Sequence, residues 1–181
     1  AVAPLVEHLI GAVLNKDAQA ERGISDAIKD IGRQATAELI RRSEHNDVRV
    51  CECLIALLAR THDATAVEAL TQRLNHPALA VPVRTATIRA IAELGGEDAC
   101  RSLRSCLADP DSLTRLEAAS ALSRFASMAV QDSLLNAYGR EQDLEVRYAL
   151  AKALSKQGWK PNDSGDQILF LLDCGSFDQV F

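Results

Sequence analysis

Aromatic residues are scarce in this 181-residue chain, at 4%, with one Trp, two Tyr and four Phe. Sheet sandwiches and barrels draw on aromatic and β-branched residues, whereas this sequence is written mostly in Ala, Leu, Arg and Glu, which favour helices. An all-β fold is therefore excluded, and an all-α fold is expected. Long apolar runs are also missing. The longest, Cys53 to Ala59 and Ile168 to Leu172, fall far short of the roughly 20 apolar residues that cross a bilayer, so no membrane span is expected within this segment. The opening Ala1-Val2-Ala3-Pro4-Leu5 lacks a basic stretch followed by an apolar one, so no secretory signal is visible. The first residue is not Met, and the natural N-terminus is expected to lie upstream.

Basic charge is in deficit, with 20 Lys plus Arg against 25 Asp plus Glu and a formal charge of −5. A protein whose main task is to neutralise phosphates needs the opposite balance, so nucleic acid is not an expected partner. Hydrophobic residues make up 48% of the chain, enough for a core and too many for a disordered segment. The five cysteines form no convergent set. Cys51 and Cys53 sit about 200° apart around a helix axis, and Cys100 and Cys106 also diverge. They are expected to be reduced, small core residues of a cytoplasmic protein.

What the chain does contain is self-similarity. Val48-Arg49-Val50-Cys51-Glu52-Cys53-Leu54, Val83-Arg84-Thr85-Ala86-Thr87-Ile88-Arg89-Ala90, Thr114-Arg115-Leu116-Glu117-Ala118-Ala119 and Val146-Arg147-Tyr148-Ala149-Leu150-Ala151 each open on an Arg and continue as an apolar helix. The anchors at 49, 84, 115 and 147 repeat at about 31 to 35 residues. A weaker copy, with Glu21 at the anchor, runs through Ile24, Ile28 and Ile31. That period accommodates two helices of about three turns and two short turns, and neither helix can bury its apolar stripe alone.

Within a repeat, Arg84, Ile88, Ile91 and Leu94 share one helical face, and Gly95-Gly96 supplies the left-handed stop. Asn46-Asp47, Asp109-Pro110-Asp111 and Asp143 read as starts of the next first helix. Second helices are expected over 4–15, 34–43, 65–75, 97–108, 128–139 and 166–173. The expected units are a partial one at 1–16, then 17–45, 46–79, 80–110, 111–141, 142–175, and a truncated one at 176–181. The chain thus reads as a single domain excised from a longer array, with self-association through uncapped terminal repeats as the consequence.

The segments Asp109 to Leu122 and Asp143 to Leu154 resemble the HEAT-like repeat of the phycobilisome-lyase type. The resemblance is strong from about 83 to 158 and loose before 46. It implies a right-handed α-solenoid of about five HEAT-like helix-turn-helix repeats, serving as a protein-binding scaffold. The same resemblance carries an alternative, a bilin lyase-like subunit whose groove holds a linear tetrapyrrole. Fold alone does not choose between them.

No chemistry-bearing constellation stands out. His8, His45, His62 and His76 are scattered, no His is followed by Glu, and no Ser or Cys has a sequence signature that associates it with a base. No catalytic residue, metal ligand or cofactor site is expected. Arg49, Arg84, Arg115 and Arg147 read as a structural ladder, each placed to reach an acid or carbonyl of a neighbouring repeat. Arg41, Arg42, Arg73, Arg101 and Arg104 fall on second helices, which in such solenoids line the concave side. They are either solvated residues with local pairs such as Glu38 to Arg42, or a basic strip for an acidic helix or tail of another protein. Trp159, in the long loop 158–165, is either a binding anchor or packing over the last helix.

Overall fold

The computed structural model describes residues 2–76, 78–161 and 164–175. These are helical, with no strand among the described residues. The helices are α1 (Val2–Leu14), α2 (Ala18–Ile31), α3 (Thr36–Arg42), α4 (Val48–Arg60), α5 (Thr65–Leu74), α6 (Val81–Leu94), α7 (Gly96–Ser105), α8 (Ser112–Leu122), α9 (Met128–Tyr138), α10 (Leu144–Lys156) and α11 (Ser164–Asp173). Two 3₁₀ turns accompany them, Gly32–Ala35 before α3 and Cys106–Ala108 after α7.

Capping residues set where several helices begin. Asp47 accepts the Arg49 and Val50 amides, Asp143 those of Glu145 and Val146, and Asp111 takes both the amide and the hydroxyl of Thr114 at 2.7 Å. Each carboxylate satisfies donors that lack a partner in the first turn. Ser127, which the repeat pattern does not mark, caps α9 through the Val130 amide. α6 ends at Gly95, whose φ of 73° is followed by 89° at Gly96; two successive left-handed residues let the chain reverse within the turn. The second helices come out near their expected limits with one systematic difference. The expected helix over 34–43 is a 3₁₀ turn followed by only seven α-helical residues, and the one over 97–108 tightens to 3₁₀ at Cys106. Pro110 follows closely in the second case and Gly32 breaks the chain in the first, so carbonyls near these ends close shorter i→i+3 bonds.

The chain divides into two compact units, Ala1–Ala99 and Cys100–Phe181. In the first unit, α4 and α6 run closest together, α1 packs on α2 and α4, and the second helices α3 and α5 pack on the following first helices α4 and α6. In the second, α8 and α10 form the corresponding pair, and α9 lies against α10. The close pairs are lined with small buried residues, Ala59, Ala90 and Thr87 in one unit and Ala118, Ala121 and Ala153 in the other. Small side chains let backbones approach, and larger ones fill the remaining space. The buried Thr87 hydroxyl donates to its own helix at Val83 O (2.7 Å), so the polar atom is satisfied.

Leu54, Ile55, Leu58, Ile88 and Ile91 are essentially inaccessible in the first unit, as are Leu122, Leu134, Leu150 and Leu154 in the second. Burying each is worth about 1.5–3 kcal/mol. Two of the five thiols, Cys51 and Cys106, are core residues; Cys53, Cys100 and Cys174 are half-buried, and none is bridged. The expectation of five core cysteines is corrected, because Cys53 and Cys100 lie on helix faces turned partly to solvent. Ile88→Ala should lower the unfolding free energy in urea by about 2–5 kcal/mol, whereas Leu113→Ala, at a position 53% exposed, should change it by no more than about 0.5 kcal/mol.

Candidate functional site

The four anchor arginines enter α4, α6, α8 and α10 in the first turn, and the caps described above fix the backbone from which three of them project. Their surroundings differ. Arg115 makes two hydrogen bonds to the Glu141 carboxylate, at 2.8 Å from Nε and 2.9 Å from Nη2, and Nη1 donates to the carbonyls of Asp109 and Pro110. Glu141, whose side chain is only 7% exposed, also accepts the amides of Gln142 and Asp143. One guanidinium thereby ties the turn before α8 to the turn after α9. The Arg115 bond outweighs the cost of burial and holds the Glu141 carboxyl below the usual range.

Arg147 donates from Nε to Asp173 at 2.7 Å and lies over the Tyr138 ring, 4.6 Å from its centroid. The Tyr138 hydroxyl donates to the same Asp173 oxygen at 2.5 Å, and burial followed by this bond raises the phenol to about 12. Tyr138 meets Phe170 edge-on, and Phe170 in turn meets Trp159 edge-on at 5.0 Å. Trp159 thus packs over the last helix. Arg84 donates to the carbonyls of Leu74 (3.0 Å) and His76 (3.4 Å), closing the C-terminal end of α5 where a cation complements the helix dipole. Among the described residues Arg49 reaches only back to its own cap, Asp47, at 3.3 Å, with about half its side chain exposed.

Glu141 and Asp173 escape a reading centred on the repeated Arg, yet the sequence holds a signal for them. Each acid stands 26 residues after its arginine. The same offset from Arg49 and Arg84 falls on Asn75 and Pro110, which carry no charge. At Asn75 that absence accounts for the exposed Arg49.

The second-helix arginines also separate into classes. Arg41 is held by both oxygens of Glu38, and Arg42 by Glu38 and Glu7; the Arg41 bond is the main reason the Glu38 carboxyl titrates low. Arg101 lies exposed on α7. Arg73 borders a groove of about 600 Å³ with Ile40, Leu70, Leu79, His45 and His76. Its neighbours are weak acceptors, Ser43 Oγ at 3.5 Å and Cys51 Sγ at 3.6 Å, its Nε is buried without a partner, and no carboxylate among the described residues pairs with it. In the second unit, Arg104 and Arg140 border a groove of about 840 Å³ between the 3₁₀ turn after α7 and the end of α9. Arg104 donates to Ser133 Oγ at 2.7 Å, and neither it nor Arg140 has a carboxylate partner among the described residues.

His45 and His76 border the same groove, and the other two histidines lie elsewhere. His8 bonds to Pro4 O, His45 accepts the Asp47 amide, and His62 occupies a left-handed turn position with φ of 52°. No group of three or more metal-ligating side chains occurs among the described residues.

The architecture is that of successive helix pairs, each first helix packed on a neighbouring first helix. Residues 79–155 match the family model for HEAT repeats, which supports a HEAT-like repeat protein. No curated protein matches the chain. No helix among the described residues is long and apolar enough to cross a membrane.

Arg115→Ala leaves Glu141 buried without its counter-charge and should cost about 1.5–3 kcal/mol, while Arg49→Ala should cost less than about 0.5 kcal/mol; chemical denaturation of both variants compares them directly. Because the Glu141 carboxyl is depressed on folding, its contribution is complete above the ordinary carboxylate pKa and is lost as pH falls through its lowered value. Glu141→Gln should therefore be destabilising near neutrality and show a shallower loss of stability than wild type between about pH 5 and pH 3.

Proposed function

We propose that this chain is a non-catalytic protein–protein interaction scaffold, a right-handed α-solenoid of about five HEAT-like repeats of the phycobilisome-lyase type, within a larger protein of the cytoplasm. HEAT repeats generally mediate protein–protein interaction, and the match over 79–155 supports that role here. The unbridged thiols support a reducing compartment. One observation carries the reading furthest: three second-helix or helix-end arginines, Arg73, Arg104 and Arg140, border grooves without carboxylate partners of their own among the described residues. Each groove sets arginine beside apolar walls, Arg73 with Ile40 and Leu70 in one, Arg104 and Arg140 with Leu107 and Ala137 in the other; Glu44 also borders the first, and Glu141 and Asp143 the second, with Glu141 held by Arg115. A partner segment that alternates Asp or Glu with Leu or Val satisfies both features.

Arg41 and Arg42 contribute less, since Glu38 and Glu7 already neutralise them. Trp159 serves the last helix through Phe170 rather than the partner. The Arg84, Arg115 and Arg147 contacts hold helix ends in place, and that rigidity keeps the grooves preorganised.

Fluorescence anisotropy with a labelled Glu- and Leu-rich peptide tests the assignment. Binding should weaken with salt, and Arg73→Glu or Arg140→Glu should each lower affinity by about threefold to tenfold, with Arg41→Glu nearly silent. Equal binding by all three variants would overturn the assignment. Adding a linear tetrapyrrole should leave the chromophore's visible spectrum unchanged; a shifted band would favour the bilin lyase-like alternative instead.

A further inference from the structure

In the second unit, first helices α8 and α10 enclose a groove of about 650 Å³, away from the arginine-lined groove and independent of the scaffold reading. Its walls are Leu116, Leu144, Tyr148 and Ala149, and its charged residues are Glu145, Lys152 and Lys156. Leu144 is 79% exposed and Tyr148 43%, an unusual outlay of apolar surface on a monomer. Along the exposed stripe of α10 the order is Glu145, Tyr148, Lys152, Lys156, an acid at the N-terminal end and cations at the C-terminal end.

A stripe of that order is complementary to itself when one helix is reversed. Placed antiparallel about position 150, Tyr148 faces Lys152 of a second copy, and Glu145 falls one residue, about 1.5 Å along the axis, from facing Lys156 of that copy, within reach of its long side chain. Lys152 already stands 5.5 Å from the Tyr148 ring centroid in its own chain, so this ring already receives a cation, and a reversed copy exchanges that contact for the same one between chains. Reversal also sets the two helix dipoles against each other favourably, and a two-fold axis produces every contact twice. An acidic partner helix would match the lysines but would meet Glu145 with like charge; a reversed copy of α10 meets both ends correctly.

We propose that the α8–α10 face is an isologous dimer interface, with α10 of each copy seated in the groove of the other. Sedimentation equilibrium of the intact chain from micromolar to millimolar concentration should show a monomer–dimer equilibrium. Glu145→Lys and Lys156→Glu should each raise the dimer Kd by about tenfold, because an attraction becomes a repulsion at two symmetric places, and the double exchange should return it to within about threefold of wild type. Far-UV circular dichroism checks that α10 stays helical. Leu144→Asp, at a site too exposed to disturb folding, should abolish dimerisation and decides the matter if a charge variant loses helix. A chain that stays monomeric throughout, association indifferent to all these variants, or failure of the double exchange to restore it would overturn the proposal.

Discussion

Everything in this molecule depends on one helix sheltering the next. α4 and α8 are too short to be stable alone in water, and their apolar faces are covered by α6 and α10. The alanines that make these faces small have a second effect: they bring backbones close, so that the turn at the end of a helix pair lies within reach of the guanidinium at the start of that pair, as for Arg115 with Glu141 and Arg147 with Asp173, rather than in the neighbouring repeat that the sequence suggests. Packing thus comes first, and the polar contacts follow from the distances it sets.

The arginine contacts illustrate how a repeated residue acquires different work. Arg115 finds a buried carboxylate, Arg147 a carboxylate shared with a tyrosine, Arg84 two helix-end carbonyls, and Arg49, among the described residues, only its own cap. All four sit at the same repeat position. For Arg115, Arg147 and Arg49 the difference lies 26 residues downstream, where Glu141 and Asp173 are acidic and Asn75 is not. Cations that are fastened hold helix ends in place, whereas Arg73, Arg104 and Arg140 find no acid among the described residues.

Helix positions were legible in the sequence because their causes are local. Asp47, Asp111 and Asp143 mark first-helix starts through bonds spanning two or three residues, and Gly95-Gly96 marks a stop through backbone freedom alone. The capping Ser127 was less visible, since Ser is common in turns. The aromatic stack of Tyr138, Phe170 and Trp159 was only half legible: the tryptophan advertised itself, but its neighbour depends on how α11 is laid down. Hardest to read was the α8–α10 groove, because exposure of Leu144 and Tyr148 is decided by which neighbours fail to cover them, and no single segment states that.

The dependence of each helix on its neighbour is tested most directly by native-state amide hydrogen exchange on Leu150→Ala, a change confined to the buried face of α10. The account requires protection to fall in α8 and α9 together with α10, by similar factors. Loss confined to α10, with α8 and α9 as slow to exchange as before, would show that these helices do not rely on one another and would contradict it.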